Sequence, residues 1–185
     1  MGNKLKSLAV YCGHEFGTNP QFERDAVRVG ELLARNKIRM IFGGGNVGLM
    51  GATATSALRN GGVVLGVSTH NVVALQEPAH EEIDVEIVTG VNERKQKMYE
   101  MSDGFIILPG GIGTLNEFTD ILTMQQIGES RKPLFFMNTA KFWESFSNMF
   151  LSMQDNGFIK SVEEYHVHVA STPDELFKQI LDYEN

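Results

Sequence analysis

The chain has 185 residues, 42% of them apolar and 21% charged, values of an ordinary soluble domain that exclude a disordered or collagen-like chain. Sixteen Lys and Arg against 23 Asp and Glu leave a net charge of −7, which argues against a nucleic-acid binder with its basic face. A single cysteine, Cys12, excludes a disulfide framework and a multi-cysteine zinc site, and fits a reducing, cytoplasmic setting.

In chain order, the apolar run near the amino terminus is too short for a signal peptide, because Gly13, His14 and Glu15 end it. Lys6 stands where a myristoylation signal needs Ser or Thr. No stretch reaches the roughly 18 apolar residues of a membrane span, so no membrane partner is expected. Strands are predicted at Ser7–Cys12, Ile38–Phe42, Val63–Val67, Val85–Thr89, Gly104–Leu108, Pro133–Asn138 and Tyr165–Ala170. Most are continuously apolar, as in strands covered on both faces, and the last alternates like an edge strand. Helices are predicted at Gln21–Asn36, Val47–Asn60, Val91–Met101, Leu115–Ile127, Lys141–Asn156 and Pro173–Tyr183. Thr172, Pro173 and Glu175 give the last helix its cap, N1 proline and N3 acid, and Gly61-Gly62 and Gly157 mark helix ends. This alternation predicts an α/β, Rossmann-like three-layer fold: a mostly parallel sheet of about seven strands with helices on both faces. No linker, repeat or low-complexity tract divides the chain, so residues 1–185 read as one nucleotide-binding α/β domain.

Nineteen glycines are present, and two clusters directly follow apolar runs. Gly43-Gly44-Gly45-Asn46-Val47-Gly48 satisfies G-x-G-x-x-G after a strand, where backbone amides at a helix start can meet a phosphate. No Asp or Glu occurs until Glu77, so the acid of an NAD site is missing. The plainer reading of this cluster is a sharp, tightly packed turn. The second cluster, Pro109-Gly110-Gly111-Ile112-Gly113-Thr114, exposes consecutive amides and a hydroxyl at the next helix start. The expected phosphate cradle is therefore Gly44 and Gly45 with Gly110, Gly111, Gly113 and Thr114. Neither cluster continues as G-K-[ST], which excludes a P-loop. Thr114-x-x-Glu117 also reads as a capping box, with Glu117 serving only the Thr114 amide. Arg94 and Lys95 open a predicted helix, where cations oppose the macrodipole. Either Glu93 compensates them on a solvated face, or an anion lies nearby for which the Arg94 guanidinium is suited. His166 and His168 share a strand face without a third ligand, so no metal site is expected. Cys12 reads as a small buried hydrophobe.

Together, Gly43-Gly44-Gly45-x-x-Gly48-Leu49-Met50-Gly51, Glu93-Arg94-Lys95-x-x-Met98 and Pro109-Gly110-Gly111-x-Gly113-Thr114-x-x-Glu117 resemble the LOG family. Its members are cytokinin riboside 5′-monophosphate phosphoribohydrolases, often mislabelled as lysine decarboxylases. The likeness extends from Val10-Tyr11-Cys12-Gly13 through Thr123-x-x-Gln126-x-Gly128 and Lys132-Pro133 to Gly157-Phe158-Ile159. It implies a homodimer that needs no cofactor and cleaves the N-glycosidic bond of a purine nucleoside 5′-monophosphate, such as AMP or an N6-modified form. The products are free base and ribose 5-phosphate. The resemblance places the catalytic pair on Arg94 and Glu117. It places substrate contacts on Glu77, Arg94, Lys95, Gly111, Ile112, Gly113, Thr114, Leu115, Asn116, Glu117 and Thr123. Glu77 stands one residue closer to Arg94 than the family's base-side glutamate. The first loop departs too, with His14-Glu15 where the family commonly carries two serines. The alternative is a non-catalytic nucleotide or molybdenum-cofactor carrier, since such carriers resemble the family in fold and glycine loops but need no Arg94/Glu117 pair.

Overall fold

The computed structural model describes residues 5–75 and 80–183. The first half of the chain runs β1 (Ser7–Tyr11), α1 (Pro20–Arg35), β2 (Arg39–Phe42), α2 (Gly48–Arg59), β3 (Val64–Thr69) and α3 (His70–Leu75). The second runs β4 (Asp84–Val88), α4 (Val91–Glu100), β5 (Gly104–Ile107), α5 (Ile112–Gln126), β6 (Leu134–Met137), α6 (Glu144–Asp155), β7 (Val167–Ala170) and α7 (Pro173–Asp182). Single 3₁₀ turns at Thr139–Lys141 and Val162–Glu164 precede α6 and β7.

Among the described residues seven strands pair in parallel in the order β4-β3-β2-β1-β5-β6-β7, the Rossmann-like arrangement expected from the sequence. Every described β1 residue is buried, because the pleat sends alternate side chains into two cores. Leu8 and Val10 pack with Ala26, Val29 and Leu33 of α1, Ala54 of α2 and Phe177 of α7. Ala9 and Tyr11 pack on the other face with Met98 of α4, Phe118 and Ile121 of α5, and Trp143 before α6. Among the described residues no helix is long and apolar enough to cross a membrane.

Element ends follow their local chemistry. The Asn19 side chain accepts from the Gln21 amide at 2.9 Å, ahead of Pro20 at the first position of α1. Thr172 accepts from the Glu175 amide at 3.2 Å, as its spacing predicts. Several boundaries differ from the sequence expectation, and α6 starts at Glu144, three residues after the predicted Lys141, behind the 3₁₀ turn at Thr139–Lys141. The short helix α3 follows β3 without a break, so no turn residue announces it. Helix α5 starts at Ile112, three residues before the predicted Leu115, because a helix start tolerates Gly113 where its amides have no intrahelical partner anyway.

Candidate active site

The chain reverses its direction of winding between β1 and β5, and open parallel sheets bind ligands beyond the strand carboxyl ends at such a point. Three loops meet there. The Gly13 amide, past β1, donates to the Pro109 carbonyl past β5 at 3.0 Å, and the Gly13 carbonyl accepts from the Met50 amide of α2 at 3.3 Å. Gly48 opens α2 with φ +57°, and a Cβ on it would strike the His14 carbonyl. A side chain there would be both strained and obstructed. The two glycine clusters thus flank one crevice, joined through the first loop.

Arg94, in the first turn of α4, reaches into this crevice. Its Nε donates to the Val67 carbonyl at the end of β3 at 2.9 Å, and its Nη1 donates to Glu117 Oε1 of α5 at 3.1 Å. A Cβ at Gly43 would collide with Arg94 Nη2 and approach the Met50 sulfur to 2.9 Å, so the guanidinium lies against bare backbone. The anion that the cationic helix start requires is therefore Glu117. Glu93 has a separate task, its carboxylate accepting from the Thr89 amide at 2.9 Å. The capping-box reading fails because Thr114 lies inside the first turn of α5 and is buried, while Glu117 reaches across to Arg94.

Next to this pair, Lys95 Nζ donates to Asn116 Oδ1 at 2.9 Å and to Asp120 Oδ2 at 2.5 Å. A cavity of about 150 Å³ opens between α4 and α5, lined by Tyr11, Asn92, Lys95, Gln96, Glu117 and Asp120 among others. The Glu117 side chain is only 11% exposed. Burial raises its pKa above the usual glutamate range, against the pull of Arg94 and Lys95. Burial, reinforced by Glu117, also pushes the Tyr11 phenol far up, so it stays protonated at any working pH. The Cys12 thiol is pushed up by burial first and the Glu117 charge second, which keeps it protonated against the core as a small hydrophobe.

The two glycine clusters are not alike. Gly43, Gly44 and Gly45 are buried, and Gly44, at φ +80°, would bring a Cβ within 2.9 Å of Val85 and 3.1 Å of Ser68. The plainer packing reading accounts for Gly43 and Gly44. By contrast, Gly111 and Gly113 have ordinary φ and nothing within 4 Å of a built Cβ, so packing within the chain does not explain them.

Of the other predicted residues, Asn116 joins the site through Lys95, and Gly110 lies under the Thr114 side chain and the Gly13 amide. Thr123 is exposed, donates to the Thr119 carbonyl at 2.9 Å and is not brought to the others. Glu77 lies outside the described residues. His14 and Glu15, 67% and 84% exposed, rim a second cleft of about 200 Å³ that runs along Gly110 and Gly111 over Phe22, Leu49 and Phe142. Sequence reasoning missed Tyr11 and Asp120 as cavity residues. Asp120 carried a signal, since i, i+3 spacing sets it on the same helix face as Glu117.

The family model described as possible lysine decarboxylase matches residues 50–180. A cytokinin riboside 5′-monophosphate phosphoribohydrolase of Rhodococcoides fascians is 36% identical over 166 residues, covering 89% of this chain and 84% of the relative. Another of Arabidopsis thaliana is 31% identical over 182 residues, covering 98% and 84%. Among solved structures, the molybdenum cofactor binding protein of Rippkaea orientalis superimposes with a TM-score of 0.68 at 25% identity, covering 96% of each chain.

Proposed function

The chain belongs to the LOG family, and from that premise we propose that it hydrolyses the N-glycosidic bond of purine nucleoside 5′-monophosphates, releasing free base and ribose 5-phosphate. The substrates in this reading are AMP or its N6-modified cytokinin forms. The observation that carries the reading is the Arg94–Glu117 pair at 3.1 Å, held beside the cavity between α4 and α5.

In the reaction, water adds to C1′, the C1′–N9 bond breaks, and its electron pair leaves with the base, which takes up a proton. Positive charge develops on the ribosyl carbon as the bond lengthens. A carboxylate beside it, Glu117, stabilises that charge and accepts the water proton. A base for this step works best with a pKa near the working pH, and burial moves Glu117 in that direction. The amides at Gly111–Gly113 and the positive end of α5 suit a phosphate dianion, which fixes the sugar relative to Glu117. Arg94 fits the remaining negative charge, on phosphate or on the departing base.

The protein acts as a homodimer in this reading. Val91 at the start of α4 and Ile127 just past the end of α5, 53% and 62% exposed, leave apolar surface there, and a solution mass twice the 20.6 kDa chain checks it. The carrier reading draws on the likeness to the cofactor binding protein but gives Arg94 and Glu117 no work. Incubation with AMP and isopentenyladenosine monophosphate, with chromatography for released base, decides between them. Base release supports the hydrolase. A pterin chromophore on the purified protein, with no release from either nucleotide, supports the carrier.

A further inference from the structure

Tyr11 takes no part in the bond cleavage, yet it stands among the groups that do. It is the last residue of β1, paired in register with Ile107 of β5 at the point where the winding reverses. The pleat turns it toward α4 and α5, and its ring stacks on Phe105 at 5.6 Å and 16°. The residue is 2% exposed, yet it lines the α4–α5 cavity together with Glu117, Lys95 and Asp120. Its hydroxyl stands near enough to Glu117, Arg94 and Asp120 to feel all three charges, but none of the described residues hydrogen-bonds to it. The hydroxyl is therefore not sealed in the core but belongs to a side chain that borders the cavity beside Glu117, Lys95 and Asp120. Phenylalanine would keep the stacking and the core contacts without offering a donor there. The hydroxyl is a fixed, neutral group open to a ligand.

We propose that Tyr11 is a substrate-contacting residue whose phenolic hydroxyl hydrogen-bonds a ribose hydroxyl of the nucleotide, making the α4–α5 cavity the sugar pocket and setting a preference for ribo- over deoxyribonucleotides. This rests on the hydrolase reading above and adds the sugar site to it. The chemistry of the lining fits a vicinal diol. Asp120 and Glu117 offer acceptors, Lys95 offers a cationic donor, and Tyr11 offers a neutral donor on a rigid ring. A volume of about 150 Å³ is several times the roughly 30 Å³ of one water molecule, which suits a pentose ring better than a lone nucleophile. Because the ring is clamped by Phe105, the hydroxyl needs no reorganisation on binding.

The test compares wild type and Tyr11→Phe on AMP and its 2′-deoxy and 3′-deoxy analogues. Wild type is expected to prefer AMP over one analogue by about 10- to 100-fold in kcat/KM. In Tyr11→Phe, AMP falls by that factor while the analogue lacking the partner hydroxyl keeps its value, so the two losses do not add. A thermal melt no lower than that of wild type shows that the fold is intact. Equal loss on all three nucleotides, or no loss on any, overturns the proposal, the former marking a contact to the water or a structural role. If wild type releases no base, the hydrolase reading fails separately. Calorimetric binding of the same nucleotides to both proteins then decides, and a hydroxyl preference that survives in Tyr11→Phe, or no binding at all, overturns the sugar contact.

Discussion

Glu117 sits under two influences of opposite sign. Burial disfavours its charge and Arg94 at 3.1 Å favours it, and burial is the larger, so the carboxyl titrates above the ordinary glutamate range. Activity on AMP is therefore expected to fall in acid, with the acidic limb of kcat/KM lying above the usual glutamate value. A limb at or below about pH 4.3 would remove Glu117 as the group whose ionisation matters. Glu117→Gln is expected to lower kcat by about 10³-fold or more while nucleotide binding, measured by calorimetry, stays within several-fold. Stability carries the same signature. The raised folded-state pKa means that the Glu117 contribution is full below its unfolded pKa and is lost as pH rises through the folded one. Wild type should lose melting temperature over that window, and Glu117→Gln, which cannot ionise, should lose less. Parallel melts of the two proteins across the range check it.

At the scale of elements, glycines with different reasons for being glycine predict different outcomes. Alanine at Gly43 would run into the Arg94 guanidinium. Gly43→Ala is expected to displace Arg94 and cut turnover by at least tenfold even if the protein folds. Gly111 and Gly113 meet nothing within 4 Å, and Gly113 lies in the first turn of α5, where alanine is a better helix former. Gly113→Ala should thus leave the melting temperature unchanged or slightly raised, yet weaken AMP binding by about tenfold, because a methyl group occupies the approach to the helix-start amides. A loss of stability with unchanged affinity would contradict this. The contrast also shows what the sequence could and could not reveal. The seven strands were legible because burial on both faces writes itself as continuous apolar runs, and the Arg94/Glu117 pair because its motif is specific. For Gly43 and Gly44 the sequence offered packing only beside a phosphate role, since a turn glycine and a phosphate glycine look alike until the neighbours Arg94, Val85 and Ser68 arrive from elsewhere in the chain. Tyr11 was hidden for a related reason: inside an apolar strand its ring counts as core, and only the tertiary placement of α4 and α5 leaves its hydroxyl at a cavity.

The whole molecule separates its tasks along the strand axis. The carboxyl ends carry the loops of the site, whereas the amino ends of β1 and β5, the strands flanking the reversal point, are tied by a single side chain. Asp103 Oδ2 accepts from the Lys6 amide at 2.8 Å, the Ser7 amide at 2.9 Å and the Ser7 hydroxyl at 3.2 Å. Its own amide donates back to the Ser7 carbonyl at 2.8 Å. Asp103→Ala removes three of these bonds, but the residue is exposed and water replaces part of what is lost. The expected cost is about 1–2 kcal/mol, a fall in melting temperature of roughly 2–8 °C for a chain of this size. Because β1 and β5 remain paired along their length from Leu8–Gly104 to Tyr11–Ile107, the far end should not feel the change, and kcat on AMP at 25 °C should stay within about twofold. Asp103→Asn keeps an acceptor in place and should fall between. If Asp103→Ala instead lost turnover on the scale of Glu117→Gln while still folded, the sheet would be transmitting its amino-end geometry to the site, and the division of labour between its two ends would have to be given up.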